Sequence, residues 1–472
     1  MVSTFIIYDL AFLVLFTLAT VIFLYRKRHN LQRQGLLYLY RTKVGIKFIE
    51  WTSKKFPKTL YFFQYVIIAS GYILMVSMTY MLAKFSYIYI TSDFIAQALK
   101  VPVIVPLVPY LPEIFGLDFL PPFYFTYWII IIAIIAIPHE FAHGIFARLN
   151  RIKIHSTGFG FLGPFLAAFV EQDEKDMEKA KKFPQLAVLA AGTFANIIST
   201  AIFGLLFWLF FISTFTPAGV IFSSYALDSI DLSKISTIDG RVVKTLDEIP
   251  TLIDKEKPFV PVEIGDEVFY AAPIQLIRAI ENGLPEILAV LDSPAFREKL
   301  SGAIAEIDGR KITSFDDIRI ILEEKSPGDI INIKTIQSNK EIKEYTIELG
   351  EHNGKSFLGI GISPPRQGGG IMGWVYRIIA EIKDPFVYYE SSLGDFGYFI
   401  YHLLWWTVLI CLSVALVNML PLGIFDGGRF FYITVWGLTG SKKIGEIAFK
   451  TSTYIMLLVV AALMVKWLLI FV

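Results

Sequence analysis

His139 and His143 stand four residues apart, with Glu140 between them, in Pro138-His139-Glu140-Phe141-Ala142-His143-Gly144. On an α-helix this spacing puts both imidazoles on one face, where they reach a single metal ion. Glu140 is turned by about 100° and addresses a metal-activated water as general base. The chemistry of such a trio is hydrolysis. The chain has only 6 histidines, so this arrangement is not background. Residues 129–137, just before it, are aliphatic throughout. Two imidazoles and a carboxylate on so apolar a helix are costly and mark function.

A zinc site of this kind needs a third protein ligand and an open fourth position. The residue six beyond His143 is Leu149, so a third histidine is excluded there. His155 follows a polar turn containing Arg148, Asn150 and Arg151 and reads as surface. Glu171, Glu174 and Glu178 are alternatives in the manner of soluble enzymes with two histidines and one glutamate. Asp426 is the stronger candidate. It follows an apolar run, in Asn418-Met419-Leu420-Pro421-Leu422-Gly423-Ile424-Phe425-Asp426-Gly427-Gly428. An Asp beside a Pro- and Gly-broken helix end is tolerated at membrane depth only under cover of protein or a cavity. A metal-ion transport site built from His139, His143 and Asp426 is the rival reading, but transport has no use for Glu140.

The element that positions the trio must be a membrane helix. Of the 472 residues 55% are hydrophobic and only 18% charged, against roughly 25% charged in soluble domains. A hydrocarbon core of about 30 Å takes about 20 apolar residues of helix. Six stretches qualify, near 5–25, 60–82, 122–147, 185–212, 398–420 and 452–472. The first exits into RKRHNLQR rather than a small-residue cleavage site, so it is expected to be an anchor and not a signal peptide. Segments 26–58, 148–184 and 429–450 hold ten, seven and four Lys/Arg, whereas 83–121 holds only Lys84 and Lys100. Positive loops stay cytoplasmic, so both termini and the segment between spans four and five are expected outside. Lys plus Arg number 43 and Asp plus Glu 42, a balance that excludes a nucleic-acid binder. The single cysteine, Cys411, excludes an intramolecular disulfide and any Cys-based zinc module.

Residues 226–366 carry 42 of the 85 charged residues, which predicts a folded aqueous α+β domain. Its end, Pro364-Pro365-Arg366 followed by Gln367 and three glycines, reads as a linker. Residues 236–253 line up with 305–322 at an offset of 69. Each gives a short strand, an Asp-Gly turn, a second short strand and a helix opened by acidic residues. Alternating strands at Ile330–Ile336 and Glu344–Leu349 follow, with a turn at Ser338-Asn339. The pattern resembles a pair of PDZ-like modules, and Ser293-Pro294-Ala295 resembles the stretch that precedes the Asp-Gly strand in protease-associated PDZ domains. A single α+β domain with a recurring turn is the alternative.

HExxH in a membrane helix followed far downstream by NxxPxxxxDG resembles the site-2 protease family of intramembrane zinc metalloproteases, and in particular its PDZ-containing prokaryotic, archaeal-type members. The resemblance covers roughly residues 122–440. It implies one Zn2+ per chain on His139, His143 and Asp426, with Glu140 activating water and Asn418 positioning the substrate backbone or polarising its carbonyl. Phe425 stands where the family usually has Leu. Ala191-Gly192-Thr193-Phe194-Ala195-Asn196 resembles the family's GxxxN, where small residues let helices approach and Asn196 hydrogen-bonds across the contact; the resemblance also implies Asn196 as a substrate-binding residue. Residues 155–171 resemble the family's membrane-embedded β-hairpin. Gly160, Phe161 and Leu162 are expected on an exposed edge that pairs with an unwound substrate. The implied partners are single-pass transmembrane substrates and the lipid bilayer. The expected fold is a polytopic α-helical membrane protein of about six helices with an inserted α+β domain. Its parts are 1–121 (first two spans), 122–214 (first half of the catalytic core), 215–366 (extracytoplasmic tandem PDZ-like domain), 367–397 (linker), 398–440 (second half of the core) and 441–472 (last span).

Overall fold

The computed structural model describes residues 4–34, 37–92, 107–117, 120–162, 165–362 and 383–469. They fall into two units, Met1–Phe211 with Tyr398–Val472, and Ile212–Gly397.

In the first unit, α1 (Thr4–Arg26) leads into strands β1 (Leu31–Gln34) and β2 (Leu37–Thr42), a ten-residue helix α2 (Ile46–Lys55) and α3 (Pro57–Thr91). Then come α4 (Phe125–Leu149), strands β3 (Ile154–Leu162) and β4 (Phe165–Gln172), the short α5 (Glu174–Lys179) and α6 (Lys182–Thr214). After the second unit the chain returns through α9 (Gly394–Val417), α10 (Asp426–Thr439) and α11 (Lys442–Leu468), the labels α7 and α8 belonging to that unit. Among the described residues six helices, α1, α3, α4, α6, α9 and α11, are long and apolar enough to cross a membrane. They match the six expected stretches, but several run further. Pro57, pre-organised for the first helical turn, starts a 35-residue α3, and α11 begins at Lys442 rather than near 452. Their packing centres on small and branched side chains, with Ala187, Ala190 and Ala191 of α6 closed against Ile67 of α3 and Phe430 of α10.

Two hairpins make one antiparallel sheet in the order β1-β2-β3-β4. The expected hairpin is present as β3 and β4, but the expectation that Gly160, Phe161 and Leu162 form an open edge is corrected. Phe161 pairs with Tyr38 of β2 on one side and Leu166 of β4 on the other. Gly160 likewise lies between Leu39 and Ala167, and Leu162 pairs with Phe165. The strands that cover β3 come from the basic loop after α1, whose short Leu-Tyr alternation is interrupted by arginines. Among the described residues the sheet's open edges are therefore β1 and β4.

The second unit begins with β5 (Phe215–Ile221), which continues from α6 without a break. Strands β6 (Leu227–Asp231), β7 (Thr237–Ile238), β8 (Arg241–Val242), β9 (Val260–Ile264), β10 (Glu267–Ala271) and β11 (Glu286–Leu291) form one sheet, ordered β6-β11-β10-β9-β7-β8, with helix α7 (Pro273–Glu281). A second sheet is built from β12 (Ala303–Ile307), β13 (Arg310–Lys311), β14 (Ile330–Ile336), β15 (Ile342–Glu348) and β16 (Val387–Ser391). Its order is β15-β14-β12-β5-β16, with β13 on β12 and helix α8 (Phe315–Glu323). The two expected Asp-Gly turns are there, Asp239-Gly240 between β7 and β8 and Asp308-Gly309 between β12 and β13. All four residues have positive φ, as a tight two-residue hairpin needs. Each sheet has its own core, around Ile238, Val262 and Leu276 in one and Ile304, Ile331 and Ile347 in the other. Pro364-Pro365-Arg366 and the three glycines lie outside the described residues. The stretch expected as linker, 367–397, is corrected in its second half. Val387–Ser391 is β16, paired along β5, where its Val-Tyr-Tyr run adds an edge strand to the sheet.

Candidate metal centre

Three elements bring the chemistry together. Helix α4 carries His139 and His143 one turn apart, below Pro138, which denies the carbonyl of Ile134 its helical partner. Helix α6 backs them. The turn between α9 and α10 delivers Asp426, the first residue of α10. That turn is tight: the Gly427 N–H donates to the Asn418 carbonyl at 2.8 Å, and a Cβ on Gly427 would strike the backbone of Met419 and Leu420. Glycine here lets Asp426 fold back toward α4.

The ligand atoms form a small triangle. His139 Nε2 and His143 Nε2 are 3.1 Å apart, and Asp426 Oδ2 lies 3.4 Å from the first and 3.3 Å from the second. A tetrahedral ion with bonds of about 2.0–2.1 Å spaces its ligands by roughly 3.3–3.4 Å, so the donor set fits such a metal as it stands. Among the described residues, His139, His143 and Asp426 are the group of His, Cys, Asp and Glu side chains able to hold a metal together.

The outer partners fix the ring tautomers. His143 Nδ1 lies 2.7 Å from the Val188 carbonyl. A carbonyl only accepts, so Nδ1 carries the proton and Nε2 presents a lone pair. Asn196, fully buried, has its amide 3.0 Å from His139 Nδ1, and its Oδ1 is buried without a partner among the described residues. Turning the amide over makes Oδ1 the acceptor of Nδ1–H, which satisfies that oxygen and frees His139 Nε2 as well. Gly192, one turn before Asn196, touches both rings: a Cβ there would lie 2.6 Å from His139 Nε2 and against His143 Nε2.

Glu140 is turned from the histidines toward β4. Its Oε2 accepts the backbone N–H of Val170 in β4 at 3.0 Å. With His143, Asp426, Glu171, Glu174 and Arg429 it lines a cavity of about 330 Å³. The open edge of β4 thus runs to the general-base candidate. Asn418 is half-buried at the end of α9, and its side chain makes no hydrogen bond among the described residues.

Two of the other ligand candidates have partners of their own. Glu171 accepts from Arg41 at 2.7 Å and from Ser156 at 2.5 Å, and half-exposed His155 pairs with Asp173 at 3.0 Å. Sequence reasoning placed Gly192 in a packing motif and Asn196 among the substrate-binding candidates, but did not find their contact with the imidazoles. The Val170 N–H was beyond its reach, since a backbone donor has no residue signature.

A sequence model of peptidase family M50 matches residues 127–463, from the start of α4 to near the end of α11. No curated protein matches the chain.

Proposed function

Because the chain belongs to peptidase family M50, the site-2 protease family, we propose that it is a zinc endopeptidase cutting within the transmembrane segments of single-pass proteins. The family and the six apolar helices make it an intramembrane metalloprotease. The observation that carries the finer reading is the His139–His143–Asp426 triangle with Glu140 at its side. When bound there, zinc lowers the pKa of a coordinated water and polarises the scissile carbonyl. Glu140 takes the water's proton and passes it to the leaving amine. The Val170 N–H holds that carboxylate on the cavity wall, and Asn196 and the Val188 carbonyl keep the imidazoles turned to the ion. Asn418, with a free amide at the mouth of the Asp426 turn, steadies the substrate backbone.

A substrate helix must unwind before its peptide bond is accessible, and bare backbone in lipid costs several kcal/mol per unsatisfied group. The open edge of β4 supplies replacement partners, in place of the β3 residues expected from sequence. Val170 donates away from β3, so by alternation Ala168 and Leu166 present their backbone groups on the same open side.

The repeated strand–turn–strand–helix pattern of Ile212–Gly397 supports two PDZ-like modules on the extracytoplasmic side of a prokaryotic cell membrane, filtering substrates by the bulk they carry. The Lys/Arg distribution supports that orientation, with the metal centre toward the cytoplasm. Glu140→Gln tests the reading. Cleavage of a tagged single-pass protein in proteoliposomes is expected to vanish at normal zinc content. Metal-ion flux that persists in the same variant would favour transport instead.

A further inference from the structure

Helix α2, Ile46–Lys55, has one face packed on the protein and one largely exposed among the described residues. Inward, Ile49 is fully buried and a Cβ on Gly144 of the metal-binding helix would come within 2.9 Å of its Cδ1. Glu50 is turned to Arg148 at 2.5 Å. Outward, at 100° per residue, Lys47, Phe48, Trp51, Lys54 and Lys55 share an arc of about 120°, and all five are exposed. Phe48 and Trp51 each leave 50% of their surface uncovered.

Segment 43–58 holds five lysines, Lys43, Lys47, Lys54, Lys55 and Lys58, and one acid, Glu50, already paired. Lys55 Nζ sits 4.5 Å over the Trp51 ring and 5.5 Å over that of Phe56. Only Phe56 separates α2 from Pro57, the first residue of membrane span α3. A helix joined to a span by one residue cannot leave the bilayer surface.

We infer that the outer face of α2 is a binding surface for anionic lipid headgroups. Phe48 and Trp51 enter the boundary between headgroups and acyl chains, as the apolar face of an interfacial helix does. Lys47, Lys54 and Lys55 extend from the same arc to lipid phosphates, with no carboxylate on that arc to compete. The excess of four positive charges in sixteen residues selects anionic over zwitterionic lipid. The inference needs only membrane embedding and stands apart from proteolysis.

The test reads Trp51, one of 8 tryptophans, as the fluorescence of the full chain minus that of Trp51→Phe. The protein is placed in nanodiscs of phosphatidylcholine with about 30% phosphatidylglycerol, enough to charge the surface, and either lipid is brominated as quencher. The Trp51 signal is expected to be quenched by both, and about two-fold or more efficiently per molecule by brominated phosphatidylglycerol, an enrichment well within what a few lysines supply. The excess should disappear in K47E/K54E/K55E and persist in K47R/K54R/K55R. Because the lipid comparison is made on the native chain, a poorly folding variant does not blunt it. Equal quenching by the two lipids, or none by either, overturns the assignment.

Discussion

Gly192 occupies a place where no side chain fits. Alanine there would set a methyl against the metal-facing nitrogens of His139 and His143, so Gly192→Ala is expected to lower metal content as far as removing a ligand does, with all three ligands intact. Metal analysis of purified protein checks it, beside Asp426→Asn, which removes an anionic ligand. Full occupancy in Gly192→Ala would mean that the rings stand further from α6 than van der Waals contact with Gly192. Asn196→Ala leaves the ligands but lets the His139 ring turn, at a cost of about 10–100-fold in metal affinity. HExxH and the Asp-Gly turn were legible because each packs its chemistry into one short stretch with a fixed helical or turn geometry. What Gly192 and Asn196 do depends on the register of α6 against α4, and one chain's sequence does not contain that register.

Element by element, the strongly patterned pieces were readable and the weakly patterned ones were not. The apolar runs announced six helices, and the 69-residue echo announced two matching Asp-Gly turns. Strands β1 and β2 escaped, because four and six residues interrupted by arginines read as a cytoplasmic loop. Their presence moves the open edge from β3 to β4. Ala168→Pro removes one outward donor of β4 without touching its bonds to β3, since Pro is tolerated on edge strands. Cleavage is expected to fall at least ten-fold while zinc content stays normal. Phe161→Pro instead breaks a strand paired on both sides and should lower folded yield. Unchanged cleavage by Ala168→Pro would remove the β4 edge from the mechanism.

Helix α8 makes a second prediction at this scale. Asp317 accepts the N–H groups of Thr313 and Ser314 at 2.8 and 2.9 Å in a capping box with Ser314. Those bonds hold its carboxyl below the usual range, as the Asn332 N–H and the Lys325 ammonium do for Asp308. Both groups bind protons less readily folded than unfolded, so the stability they add is complete above the ordinary carboxylate pKa of about 4 and lost as pH falls below it. Asp317→Ala should cost about 1 kcal/mol near neutrality and less at pH about 3. Hydrogen exchange of Phe315–Glu323 in the intact protein reads both, and an equal cost at the two pH values would exclude the carboxylate as the source.

For the whole molecule the decisive fact is how the inserted unit is tied in. Strand β5 follows α6 directly, β16 leads into α9, and the two are antiparallel neighbours, with the Ile221 N–H donating to the Phe386 carbonyl at 2.7 Å. The rest of the inserted unit, the first sheet and the remaining strands of the second, therefore hangs between two adjacent strands of one potential hairpin. Replacing residues 222–385 by Asn-Gly should close β5 onto β16 through a two-residue turn and leave the metal-binding unit, with its own separate core, free to fold. Exposed Lys311 in the native chain provides the premise to be checked first. Lys311→Cys, with Cys411 replaced, is expected to react with an impermeant thiol reagent on whole cells, and reaction only after lysis would end the extracytoplasmic assignment. With that side established, a filter predicts a specific gain: the shortened chain should cut substrates whose bulky extracytoplasmic domains protect them from the native enzyme, and Glu140→Gln should abolish that new cleavage. Loss of all cleavage in a shortened chain that still binds zinc would mean the inserted unit presents substrates to the site. Substrates handled unchanged would mean that it does neither.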